Sequence, residues 1–171
     1  MKGPLLSGPA RDLILNHLKA TLNPALKDDD IIRQDGLSLG QVDQSNFFIS
    51  EVFQTLKCPA CYVLIGDMSF DYGTQPNYIE GHHDLRTIMT AEDMGGDRLQ
   101  KKVESYARVL FNTLDQQDLL TPDGRLKVKL ISSAIEYGDV IMRKDTDDRK
   151  IYRRDCIYKW KVFHVENQLI P

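Results

Sequence analysis

What this chain has little of narrows it first. Three cysteines, Cys58, Cys61 and Cys156, stand in 171 residues. So sparse and odd a set builds no secreted disulfide framework and fits a reducing compartment. No window approaches the roughly 20 apolar residues of a membrane helix. The opening Met1-Lys2-Gly3-Pro4-Leu5-Leu6-Ser7 has too short an apolar run for a signal-peptide core. Synthesis in the cytoplasm and no membrane partner are therefore expected. Net charge is also scarce, at −3, too balanced to point to nucleic acid or membrane as a global partner. There is no internal repeat and no low-complexity tract.

Familiar catalytic signatures are missing too. Gly-x-Ser-x-Gly is absent, so no nucleophile elbow is present. Gly95-Gly96-Asp97 lacks the lysine and the spacing of a phosphate loop. Asp28-Asp29-Asp30 lacks the alternation, central glycine and final glutamate of a calcium loop, and reads as solvated acid.

What is present is ordinary globular composition, 42% hydrophobic and 27% charged. A chain of this length buries about 70% of its unfolded surface, so it needs no metal or disulfide to fold. The expectation is a single α+β domain over 1–171, with no cofactor.

A first helix is expected from about Pro9 to Leu22, where Ile14, Leu18 and Leu22 recur every four residues and Asn23-Pro24 ends the run. Residues 26–51 hold Asp28, Asp29, Asp30, Asp35, Asp43 and Glu51 against Lys27 and Arg33, a net −4. They read as a long acidic surface loop. Within 46–57, Phe47, Phe48, Ile49, Val52 and Phe53 form either a short helix or a tucked segment.

Tyr62-Val63-Leu64-Ile65 reads as a buried strand, and Gly66 to Asn77 as turn. Two strands follow, at about 77–83 and 85–90. Asp97 with Gln100 has the spacing of a capping box, and opens a helix to about Gln117. Its stripe is Leu99, Val103, Tyr106, Ala107, Leu110 and Leu114. Two long strands end the chain, Leu126 to Met142 with a bend near Gly138, and Ile151 to Val165. In the second, Cys156, Tyr158, Trp160, Val162 and His164 share one face. Arg143 to Lys150 is the charged tip of a terminal hairpin. The order predicts an antiparallel or mixed sheet of four to five strands with two helices packed on one face.

Cys58-Pro59-Ala60-Cys61 is the most provocative motif. A redox pair needs its first cysteine at a helix N-terminus, but here the pair precedes a strand and Pro59 disfavours helix at Cys58. A zinc site needs two more ligands. His82 and His83 are adjacent on a strand, so at most one joins the pair. Cys58 and Cys61 are weak metal candidates, and two buried thiols is the weightier reading. His82-His83-Asp84 reads as a polar strand edge or a turn.

The charges are segregated along the chain. Residues 67–97 carry seven acids against Arg86 alone, a net −6. The hairpin, 143–161, carries eight cations against four acids, a net +4. Its cations are interleaved with acids, so docking between copies outweighs both a plain solvated surface and nucleic-acid binding.

The layout resembles the tail terminator and tail-completion proteins of the neck of long-tailed double-stranded DNA bacteriophages. The resemblance lies in the amphipathic helix of Ile14, Leu18 and Leu22, the extended linker, the proline-flanked strand from Cys58 to Ile65, the helix centred on Tyr106, and the alternating last strand Tyr152-Arg153-Arg154-Asp155-Cys156-Ile157-Tyr158-Lys159-Trp160-Lys161-Val162. It implies a structural virion protein with no catalytic residue. Such a protein forms a homohexameric ring on the end of the tail tube, stops tube growth, and offers a surface to the head connector. DNA passes through the lumen without sequence-specific binding. Another neck protein, for tail completion or head closure, is the neighbouring reading. A small zinc or thiol enzyme using Cys58 and Cys61 is the reading from a different class. The ring contact is expected to set Arg149, Arg153 and Arg154 against Asp71, Glu80 and Asp84.

Overall fold

A computed structural model describes residues 7–33, 35–50, 57–71 and 77–169. Among these, two long helices lie over a mixed sheet of seven strands, more than the four to five expected. Helix α1 is Ser7–Arg33 and α2 is Gly96–Leu114. The strands are β1 (Phe47–Phe48), β2 (Ala60–Asp71), β3 (Tyr78–Asp93), β4 (Asp118–Leu120), β5 (Leu126–Tyr137), β6 (Ile141–Lys144) and β7 (Lys150–Asn167). Their order across the sheet is β1-β2-β3-β7-β5-β4, with β6 also paired to β7. Only β1 and β2 run parallel.

Both helices pack on one face, as the patterning predicts. Ala10, Ile14, Leu18, Leu22 and Leu26 are fully buried on α1. They meet Leu99, Val103, Tyr106, Leu110 and Leu114 of α2, and Cys61, Val63, Leu85, Met89, Val128, Leu130, Tyr158, Trp160 and Val162 of the sheet. The opposite face carries a second, smaller cluster of Ala60, Tyr62, Leu64 and Ile88. The alternation of β7 holds: Cys156, Tyr158, Trp160, Val162 and His164 are all buried on the helix side.

Helix α1 does not stop at Asn23-Pro24. It runs on to Arg33, so 26–33 is helix rather than loop. A proline inside a helix costs about 3 kcal/mol. Burying Leu26 returns roughly 2 kcal/mol of that. Asn23 adds two hydrogen bonds: its Nδ2 donates to the Val42 carbonyl at 2.9 Å, and Val42 N–H donates to its Oδ1 at 2.8 Å. Each contributes about 1 kcal/mol. The segment that follows is no solvated loop either. Leu37, Leu39 and Val42 are buried, and the Tyr106 hydroxyl donates to the Leu39 carbonyl. Asp29 is buried against Arg108 of α2 at 2.7 Å, and Asp30 accepts the Leu39 N–H. The acidic run thus ties α1 to its neighbours.

Three further boundaries differ. The two strands expected at 77–83 and 85–90 are one strand, β3, and β2 continues through the expected turn to Asp71 by way of a bulge between Ile65 and Met68. The strand expected at 126–142 divides at 138–140 into β5 and β6. The α2 cap is Gly95, without a side-chain bond; Asp97 sits in the first turn, and Gln100 donates to Glu104 instead of closing a capping box. Asp93 takes the anchoring role, accepting from Gly95 N–H and pairing with Lys102 at 2.9 Å. Strands β1 and β4 were not expected. Of the apolar segment at 46–57, residues 51–56 lie outside the described residues.

Candidate assembly surface

The acidic and basic stretches of the sequence are β3 and β7, and these two strands are neighbours. Their antiparallel register sets Glu92 opposite Arg153, Asp84 opposite Lys161, and Arg86 opposite Lys159. Poles that are far apart in sequence therefore meet within one chain. Glu92 accepts from Arg153 at 2.6 Å and from Arg143 of β6 at 3.0 Å. Burial opposes the Glu92 carboxylate, but the hydrogen bonds and charge of the two arginines outweigh it and hold its pKa below the usual value. Lys161 donates to Asp84, which lowers the Asp84 pKa by that hydrogen bond first.

The other proposed contact residues fall as follows. Arg149 sits in the exposed hairpin tip and binds Asp145 at 2.8 Å and Asp147 at 3.1 Å. Arg154 points to the helix side. It donates to the Gly138 carbonyl at 2.7 Å and to Gln100 of α2, and its guanidinium lies 5.6 Å from the Tyr137 ring centre. Glu80 is half-buried on β3, opposite Asp71 of β2 in register. The side chain of Asp71 lies outside the described residues. The structure thus brings Arg153 and Arg154 into contacts within their own chain.

The surroundings of Cys58 and Cys61 disfavour the thiolate form. Burial pushes Cys61 up to about 12, and burial together with Glu92 pushes Cys58 up to about 11. A reactive thiol is lowered instead. Cys61 lies in the main core opposite Met89. His82 and His83 point to opposite faces, as adjacent strand residues must, with His82 exposed and His83 buried. Among the described residues no group of three metal-binding side chains converges. An open groove of about 340 Å³ crosses the sheet over Leu64 and Gly66, but its lysines, Lys159 and Lys161, are bound to Glu136 and Asp84.

The feature not anticipated from the sequence is apolar and exposed. Along the outer margin of β5 and β6, Ile135, Tyr137, Val140, Ile141 and Met142 all show a third or more of their surface, Ile141 as much as 62%. Isolated exposed apolar residues are normal; here five fall within eight residues, with Ile141 and Met142 on opposite faces of β6. The signal was there in Val140-Ile141-Met142, an apolar run between Gly138-Asp139 and Arg143-Lys144. It read as strand interior because nothing in the sequence said which margin stays uncovered.

No family model and no curated protein matches the chain. Among solved structures, it is similar to a chain of the virion of a native gene transfer agent particle, at 17% identity over 85% of this chain and 93% of that one, with a TM-score of 0.39. A likeness that distant carries no argument about function. No helix among the described residues is long and apolar enough to cross a membrane.

Proposed function

We propose that this chain is a structural virion protein: a tail terminator that forms a homohexameric ring on the end of the tail tube, stops tube growth, and receives the head connector. DNA passes through the ring's lumen. The tube protein, the neck proteins and further copies of the chain are its partners, in the neck of the virion. The proposal begins from the sequence resemblance. The observation that carries it is the exposed apolar margin of β5 and β6, a surface suited to protein contact.

The charge pairing supports the same reading. Because Glu92 and Asp84 of β3 pair with Arg153 and Lys161 of β7, and Glu92 also with Arg143, the hairpin presents less free cationic surface than its sequence suggests, which weighs against phosphate binding. Arg153 and Arg154 in this reading shape the hairpin from within, while Arg149, Glu80, Asp84 and Asp71 remain the polar candidates for contact between copies. The raised thiol pKa values weigh against the thiol enzyme.

The test is the size and placement of the assembly. Sedimentation and electron microscopy of the purified protein, alone and with tail tubes, should show a sixfold ring seated on one tube end. A chain that stays monomeric under both conditions overturns the proposal. A ring that binds the connector but ignores tube ends favours the second reading, another neck component.

A further inference from the structure

Where β3 and β7 run together away from the hairpin, two histidines are buried, His83 at 1% exposure and His164 at 2%. They stand diagonally on the helix-facing side of the two strands: Gly81 is the register partner of His164, and His83 lies two residues further along β3. Gly81 brings no side chain, so the His164 ring leans over it onto β3, its Nε2 2.9 Å from where a Cβ would stand. The two ring centres are 5.9 Å apart, and among the described residues none of the four ring nitrogens has a hydrogen-bond partner. Buried polar atoms are paired in the great majority of cases, so a pair of unpartnered imidazoles calls for an occupant.

Their spacing says what fits between them. A direct N–H···N bond spans about 2.9 Å, which with a ring radius of about 1 Å on each side puts the centres about 5 Å apart. A shared ion with metal–nitrogen bonds of about 2 Å puts them about 6 Å apart. The observed separation matches the second.

The ligand count chooses the ion. Zinc in a structural site takes four ligands, and among the described residues no third His, Cys, Asp or Glu joins these two. Glu166, the buried carboxylate of this region, is engaged by Arg125 and Gln168. A divalent ion would therefore be under-coordinated and would bring two charges into a buried site. A univalent ion with a filled d shell, Cu(I) or Ag(I), accepts two nitrogen donors in line and brings only one. Such an ion needs neutral imidazoles, and burial lowers the pKa of both rings.

We propose that His83 and His164 form a two-coordinate site for a univalent soft metal ion, Cu(I), that clamps β3 to β7. One nitrogen of each ring gives its lone pair, and neither proton nor electron is exchanged. The two ligands meet only through the register of β3 on β7, so the ion binds the folded chain and stabilises it by mass action.

The test uses the full chain, freed of metal and kept reduced without oxygen, with Cu(I) delivered from a competing chelator. One equivalent should bind, and X-ray absorption at the copper edge should show two nitrogen neighbours at about 2 Å and no sulfur. At a free-ion concentration about one hundred times the Kd, Tm should rise by about 5 °C or more. H83F and H164F, checked for folding by circular dichroism, should each lose that rise, and C58S should keep it. Sulfur neighbours in the spectrum would assign the ion to the cysteines and overturn the site. A parent that takes up no copper, or a rise undiminished in both histidine variants, overturns it equally. The parent's own absorption spectrum decides the matter where neither variant folds.

Discussion

The ladder between β3 and β7 has two ends, and they treat polar groups in opposite ways. Near the hairpin, Glu92 meets Arg143 and Arg153 within reach of solvent, two cations on one carboxylate. At the far end, Glu166 is wholly buried, held by Arg125 at 2.7 Å and by Gln168 at 2.7 Å. Beside it lie His83 and His164, both buried, their ring centres 5.9 Å apart. Among the described residues none of their four ring nitrogens has a hydrogen-bond partner. The His164 ring lies over Gly81, where an added Cβ would come within 2.4 Å of it. The near end can lose a partner and let water replace it. The far end cannot, so the same strand pair should be forgiving at one end and brittle at the other.

The largest effect should come from E166A. It leaves the Arg125 guanidinium in a site built for a pair, at a cost of about 3 kcal/mol or more. Urea unfolding measures this; a loss under about 1 kcal/mol would equate the two ends and erase the contrast.

Next comes acid. Burial, and then the neighbouring His164, lower the His83 pKa to about 4, and burial lowers that of His164. Asp84 and Glu166 pull the other way, on His83 and His164 respectively. The unfolded chain therefore takes up protons first as the pH drops from about 6.5 towards 4. Stability is full above that window and falls within it, by on the order of 3 kcal/mol for His83 alone. H83F keeps a ring and removes the titration. Its stability should vary with pH distinctly less than the parent's between 6.5 and 4.5, and identical slopes would show that His83 does not titrate with folding.

The smallest effect belongs to the near end. E92Q should cost about 1 kcal/mol, because the freed arginines reach water. Hydrogen exchange should quicken in β6 and the tip while β5 and β3 stay protected. Equal exchange across all four segments would mean that Glu92 does not hold the hairpin.

Where burial is one-sided, it was legible in the sequence. The stripe of α2 and the alternation of β7 each declare a buried face without reference to any neighbour. The continuation of α1 past Pro24 was not legible, because it depends on Asn23 meeting Val42 and on Leu26 finding the core. Strands β1 and β4 are too short to show a period and exist by virtue of the strands they lie against. The charges were legible but not their meaning: −6 and +4 look like poles until the register of β3 on β7 sets one over the other. The candidate surface stayed hidden for a related reason. Val140-Ile141-Met142 is visible as an apolar run, whereas its exposure is a property of the whole sheet's outline.

The bulge in β2 acts like a change of reading frame. Before it, Leu64 belongs to the face away from the helices; after it, Met68 and Phe70 stand opposite His83 and Gly81, on the helix side, and Phe70 meets His164 edge-on at 6.1 Å. Gly66 makes the shift possible, since a Cβ there would come within 3.1 Å of the Asp84 carbonyl oxygen. The parity of the strand is thus set by one extra residue. A gene that lost the single codon for Gly66 or Asp67 would encode nearly the same composition with the two faces of the strand's end exchanged, turning Phe70 outward and stripping the histidine pair of its aromatic neighbour.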